Sequence, residues 1–181
     1  MILALALALE PAQAQERTLT RVPVERVTIV SKKPFESVIA KFDAQVGHPN
    51  MADFAKASAA AKTYAELKDV VKSAVGPADL MVFLRLDIGG VVRKQSGAVQ
   101  PKAVRYVVGN PLIMQEMAKR VIDAGSYAPV TILIDERRDG VHLSYDTMTS
   151  LLTPYGNAEA LAVAHDLDAK VEKLMRDAAG G

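Results

Sequence analysis

The run "VTILIDERRDGVHLSY", Val130 to Tyr145, constrains this chain more than any other stretch. Two apolar, β-branched segments flank a charged reversal, and Asp139-Gly140 is the residue pair that a tight hairpin turn favours. Strands are therefore predicted at Pro129 to Asp135 and Val141 to Tyr145, adjacent and antiparallel. An isolated hairpin is at best marginally stable in water, so the remaining chain must add strands beside it and cover a face. With 181 residues, 50% of them hydrophobic, there is enough material for one domain with a sizeable core.

The other elements follow from local pattern. Arg26 to Ser31 is short and β-branched and predicts a first strand. "SKKPFESVIAKFDAQVG" reads as a helix, with Pro34 in its first turn and Gly47 as its stop. Phe35, Val38, Ile39, Phe42 and Val46 form its buried stripe. Met51 to Ala61 is a weaker, Ala-rich helix anchored by Phe54, and Thr63 caps another whose face is Leu67, Val70, Val71 and Ala74, ended by Gly76-Pro77. Leu80 to Leu84 is wholly apolar, as expected of a central strand; Arg85 and Asp87 then alternate with Leu86 and Ile88, turning one face to water. "VVRKQSGAVQP" breaks the pattern. Lys102 to Val108 alternates again, with Val104, Tyr106 and Val108 towards the core. A helix opens at Asn110-Pro111, Thr147 to Thr153 is a short helical turn, and Asn157 caps a long last helix. That helix buries Ala160, Val163, Leu167, Val171 and Leu174. Hairpin-joined strands with interposed helices predict an α+β domain, a mostly antiparallel sheet with helices packed on one face.

Composition narrows the function classes. Net charge is +1 with basic residues scattered, so no nucleic-acid footprint is present; aromatics are 5% and Trp is absent, which disfavours base-stacking platforms. There is no cysteine, hence no disulfide, thiol nucleophile or thiolate metal site. Ile2 to Leu9 alternates Leu and Ala, and Ala12-Gln13-Ala14 has the small-x-small pattern of a signal-peptidase site. The block is shorter than the roughly 20 residues of a membrane span. Residues 1–14 are expected to be a signal peptide, its start truncated or misassigned because no basic residue precedes the apolar run. Cleavage after Ala14 would leave residues 15–25 as a flexible arm and 26–178 as one domain, without an integral membrane segment and located in the periplasm. The Ala-rich stretch near 49–62 reads as a helical insertion.

"VVGNPLIMQEM", "SYAPVTILIDERRDGVHLSYD" and the closing amphipathic helix resemble the DUF302 family, a domain of unknown function. The motifs that carry the resemblance are Gly109-Asn110-Pro111 and Tyr127-Ala128-Pro129, each set against a strand. The resemblance runs from about Val27 to the C-terminus, interrupted near Pro49 to Lys62. It implies a small α+β fold of the TATA-binding-protein-like class and a homodimer, and it implies no established activity.

Each candidate group has a plain structural reading beside its chemical one. Asn110 is a good helix cap, which would occupy amides that an anion at the helix N-terminus would need. Met114 and Met117 lie three apart on that helix; with Met148 and His142 they are the residues a Cu(I) site would draw on, although methionine is also a common gap-filler. Tyr127, Tyr145 and Tyr155 suit the wall of a pocket between sheet and helices, or a core edge with wet hydroxyls. Asp135, Glu136, Asp139 and Asp146 are expected to gather near the hairpin, where carboxylates could do acid–base work. No Gly-x-Ser-x-Gly elbow, Walker loop or calcium loop occurs, and His165 reads as a surface residue. The sequence thus points to a non-catalytic binding or accessory domain for a small apolar or amphipathic ligand, with Asn110, Met114, Tyr127, Asp135 and Tyr145 as its candidate contacts. No cofactor, no metal and no catalytic residue is assigned. A carboxylate/tyrosine enzyme, with Asp135 or Asp146 meeting Tyr127 or Tyr145 in a cleft, and a Met/His copper handler are the alternatives.

Overall fold

The computed structural model describes residues 17–19, 21–97 and 102–181. The expected signal peptide and its cleavage site lie outside them, as do residues 98–101. Five strands form one sheet in the order β1-β5-β4-β3-β2: β1 (Arg26–Ser31), β2 (Met81–Leu86), β3 (Ala103–Gly109), β4 (Val130–Arg137) and β5 (Gly140–Asp146). Every neighbouring pair is antiparallel. The β4–β5 reversal is tighter than the sequence implies: Arg137 pairs with Gly140, so Arg138 and Asp139 make the two-residue loop and Gly140 begins the return strand.

Helices α1 (Phe35–Asp43) and α7 (Ala158–Ala179) lie together over one face. The strand residues that face them, among them Tyr106, Ile132, Ile134, Leu143 and Tyr145, are almost wholly buried. The predicted stripe of α1 is buried in full, and the Phe42 ring lies 4.6 Å from that of Tyr106. Each such side chain contributes about 1.5–3 kcal/mol relative to exposure. In α7, Ala160, Ala164 and Ala178 alternate with Leu167, Val171 and Leu174, so small residues let the helix settle closely on the sheet. Asn157 caps it, its Oδ1 accepting the Ala160 N–H at 2.9 Å. Helices α2 (Met51–Ala60) and α3 (Tyr64–Ala74) pack on each other; α2 buries no residue, and α3 buries only Val71. Thr63 caps α3 through the Glu66 N–H, as predicted.

Three readings need correction. The apolar run at 80–84 is not a central strand: β2 is an edge, because the meander of β2, β3, β4 and β5 starts there. A bulge between Val82 and Leu84 also shifts its register, so Leu84 and Leu86 turn to the face away from α1 and α7 and stay exposed. The stretch after β2 is a helix, α4 (Ile88–Ser96). Asp87 is its cap, accepting from Gly90 N–H, and Gly97 ends it in the left-handed region at φ 68°. The paired glycines and the polar tail hid these signals. Helix α1 ends at Asp43 rather than at Gly47, with Pro34 as its cap. Gly47 instead bridges to Met81, and a side chain there would sit 1.9 Å from the Ala74 carbonyl oxygen. Its role is close backbone approach to the end of α3.

Candidate functional site

The two motifs touch. Helix α5 (Pro111–Ala118) starts beyond β3. The Asn110 Oδ1 accepts the Leu112 N–H at 2.9 Å, and its Nδ2 donates to the Asp79 backbone oxygen and carboxylate at 3.1 and 3.0 Å. Asn110 is 7% exposed and fully engaged as a cap and a tie between loops. The first free amide of α5 is therefore spent on the cap rather than left for an anion. A short 3-10 helix, Ile122–Ser126, leads into Tyr127 and a cis Ala128–Pro129 bond. The Pro129 ring packs on Gly109, where any side chain would meet it at 3.0 Å. Between the motifs lies an apolar notch of about 100 Å³, walled by Phe83, Ile113, Met114, Met117 and Leu167. The predicted space between sheet and helices is otherwise filled by core side chains.

A larger hollow, one of three of about 400–410 Å³, lies over the face of the sheet turned away from α1 and α7. It is a groove of about 410 Å³ that follows β4 from Thr131 past Leu133 to Arg137. The six strand steps from Thr131 to Arg137 span roughly 20 Å. Strand register builds its floor: Leu133 is opposite Arg105 on one side and Ser144 on the other. Tyr127 and Leu151 close one end. Leu151 belongs to the short helix α6 (Met148–Leu152). The Tyr127 hydroxyl lies 3.0 Å from that of Tyr155, and this contact holds the Tyr155 hydroxyl at about 12, above the usual range.

Three guanidinium groups line the groove, in unequal states. Arg26 donates two bonds to Asp146, at 2.5 and 2.8 Å, and holds that carboxyl below the ordinary range. Arg137 donates two to Asp135, at 2.6 and 3.1 Å, and its own proton is held more firmly for it. Among the described residues Arg105 donates only to the Thr131 hydroxyl, at 3.3 Å. Two positive charges are thus neutralised in place, and the third is not.

Two tyrosines meet carboxylates in the interior instead. The Tyr145 hydroxyl donates to Asp168 Oδ1 at 2.5 Å; Asp168 also accepts the Met148 and Thr149 N–H groups at 2.8 and 3.0 Å, closing the start of α6 from α7. Burial, then the Asp168 charge, pushes the Tyr145 hydroxyl far above its usual range. The Tyr106 hydroxyl donates to Asp43 at 2.9 Å and accepts from Arg85 at 3.0 Å; burial pushes it up to about 12. Both hydroxyls stay protonated at neutral pH, and neither lines the groove or the notch. Their geometry is that of satisfied core polar groups rather than acid–base machinery.

The family model for "Domain of unknown function DUF302" matches residues 54–178. The chain belongs to the DUF302 family. The matched span opens inside α2, and β1 and α1 precede it. The crystal structure of an uncharacterized conserved DUF302 protein from Bacillus stearothermophilus superimposes with a TM-score of 0.59 at 10% identity. That superposition covers 84% of this chain and 97% of the other. At that identity the likeness shows the fold alone. No curated protein matches this sequence.

Within this DUF302 domain the five predicted contacts separate. Asn110 and Met114 line the notch, and Tyr127 lines the groove. Asp135 is held by Arg137 beside the groove, and Tyr145 is buried on the helix side. Asp135, Glu136 and Asp139 lie at the hairpin end of β4 and β5, as expected, whereas Asp146 is at the far end of β5, opposite Arg26. Asp146 and Tyr127 line the same groove, but the Asp146 carboxylate is committed to Arg26. Met114 and Met117 share the notch, Met148 is wholly buried, and His142 lies on the opposite face of the sheet, bonded to Asp139. Among the described residues no group of three or more His, Cys, Asp and Glu could hold a metal ion. His165 is exposed, as predicted. The groove residues Arg26, Arg105, Thr131, Leu133 and Ser144 escaped the sequence reading. Only the alternation of Arg105 with Val104 and Tyr106 marked one of them as outward-facing.

Proposed function

We propose that this DUF302 domain is a non-catalytic binding module that takes an elongated, amphipathic small molecule along the open face of its sheet. The observation that carries the reading is the groove itself: about 410 Å³, with Leu133, Leu151 and Tyr127 as apolar wall and Thr131, Ser144 and Arg105 as polar contacts. Mixed walls of that kind and size are what small-molecule sites use. Its non-catalytic character rests on the commitment of Asp146 and Asp135 to arginines and of the buried tyrosines to Asp168 and Asp43. The domain would act as an exported, periplasmic protein, on the strength of the leader-like residues 1–14. It would act as a homodimer, with the exposed Leu84, Leu86, Ile88, Val91 and Val92 of β2 and α4 as the contact surface. Among the described residues no helix is long and apolar enough to cross a membrane.

The test is a titration of the isotopically labelled domain with 1-octanol, a neutral amphiphile, followed through backbone amide shifts. Movement of Thr131, Leu133 and Ser144 is the expected result. Movement confined to Ile113, Met114 and Met117 would transfer the site to the notch, and no movement would sink the binding reading. Native mass spectrometry of the same sample gives the subunit count.

A further inference from the structure

The balance of charge along the groove says more than that something binds there. We infer that the groove selects a monoanionic ligand, a carboxylic acid with an extended hydrocarbon body, and that Arg105 is the anchor for its carboxylate. This rests on the groove being a binding site, as proposed above.

Arg105 projects from β3 opposite Leu133, about halfway along the groove on its β3 flank. A guanidinium offers five N–H donors in a planar fork that matches a carboxylate in two-point contact. Among the described residues the Thr131 hydroxyl, 3.3 Å away, is its one hydrogen-bond partner. The other two arginines of the lining each already hold a carboxylate by two bonds. The unneutralised charge of the lining is therefore a single positive one. A monocarboxylate would cancel it; a dianionic phosphate monoester would bring one negative charge too many and would have to displace Asp146 or Asp135 from its arginine. The Arg26–Asp146 and Arg137–Asp135 pairs act as fixed walls that leave Arg105 as the free centre.

Shape supports the same class. The groove is long and shallow, running roughly 20 Å along one strand. Leu133 directly beside Arg105, and Leu151 with the Tyr127 ring at one end, give a hydrocarbon chain apolar contact next to the charged anchor. Thr131 is placed to share the head group, its hydroxyl being already within bonding range of Arg105.

The experiment compares octanoate, octanamide and 1-octanol against the full domain and against Arg105→Gln and Arg105→Lys variants, using amide shifts and calorimetry at low salt. The expected result is octanoate tighter than octanamide by roughly tenfold or more, since charge-assisted, two-point hydrogen bonds are about twice as strong as neutral ones. Arg105→Gln should erase that preference, so that octanoate and octanamide bind alike, while Arg105→Lys should keep only part of it. Added salt should narrow the gap between acid and amide. Equal affinity for acid and amide, or a preference that survives Arg105→Gln, overturns the inference while the binding reading stands. Failure of all three compounds to bind overturns both. Tighter binding of octyl phosphate than of octanoate would also overturn it, because the charge count would then be wrong.

Discussion

The two faces of the sheet are made by the same strands, one residue out of phase, and they answer to different physics. Ile132 and Leu133 are neighbours in β4. Ile132 sits beneath α1 and α7 with no exposed surface; Leu133 lies half-buried on the floor of the groove. On the covered face every polar group is matched. Asp168 receives three donors, and Tyr106 bridges Asp43 and Arg85. On the open face most polar groups reach solvent, His142 excepted, and among the described residues Arg105 donates to the Thr131 hydroxyl and to no carboxylate. The difference teaches that stability is concentrated on one side, which leaves the other free to carry selectivity at little thermodynamic cost.

The sharpest way to break this comparison is to remove the most heavily used acceptor of the covered face. Asp168→Ala strands the Tyr145 hydroxyl and the Thr149 amide at the start of α6, while the Met148 amide keeps the Tyr145 oxygen at 3.1 Å. The expected loss is about 3–5 kcal/mol, read as a fall in the urea midpoint, because each buried unsatisfied donor costs about 1–3 kcal/mol. Asp168→Asn keeps acceptor capacity and should lose clearly less. An unchanged midpoint for the alanine variant would show that the network is not structural.

The next test sets the two neighbours in β4 against each other. Ile132→Ala should cost about 2–5 kcal/mol, as large-to-small changes in a filled core do. Leu133→Ala should cost less than about 1 kcal/mol, since its side chain keeps much of its contact with solvent. Equal losses would mean that the open face is covered in solution, as by a second copy.

The smallest effect is a dependence on alkaline pH. Burial holds the Tyr106 hydroxyl at about 12 in the folded protein, against an ordinary value of 10. Between those values the unfolded chain gives up this proton while the folded one keeps it. The contribution of Tyr106 is therefore complete below pH 10 and declines as pH rises towards about 12, by about 3 kcal/mol at most. Tyr106→Phe should flatten that part of the stability profile when unfolding is followed from pH 9 to 12. A profile as steep as that of the unmodified protein would place the alkaline loss at another group, with Tyr145 first in line.

Much of the covered face could be read from residues close together in the chain. Caps at Thr63, Asn110, Thr147 and Asn157 work through a side chain and an amide two or three residues on, so their signal is local. The buried stripes of α1 and α7 follow from helical spacing, and the β4–β5 hairpin from its short turn. The Ala128–Pro129 motif and Gly109 were visible as motifs, but their contact was not, since 20 residues separate Gly109 from Pro129 and nothing local brings them together. The alternation in β3 assigned Arg105 to the outside without saying what stood next to it.

By itself, the sequence determined the identity of nearly every element, the antiparallel hairpin, the apolar stripes and the family. Each of these depends on interactions a few residues long, or on a periodicity that survives without knowledge of the neighbours. Tertiary structure alone decided that β2 is an edge, that the Phe83 bulge turns Leu84 and Leu86 outward, that Asp168 serves Tyr145, and that Arg105 and Leu133 line one groove side by side. Strand order and register are settled by long-range packing, and a one-residue shift in either exchanges the two faces of a strand.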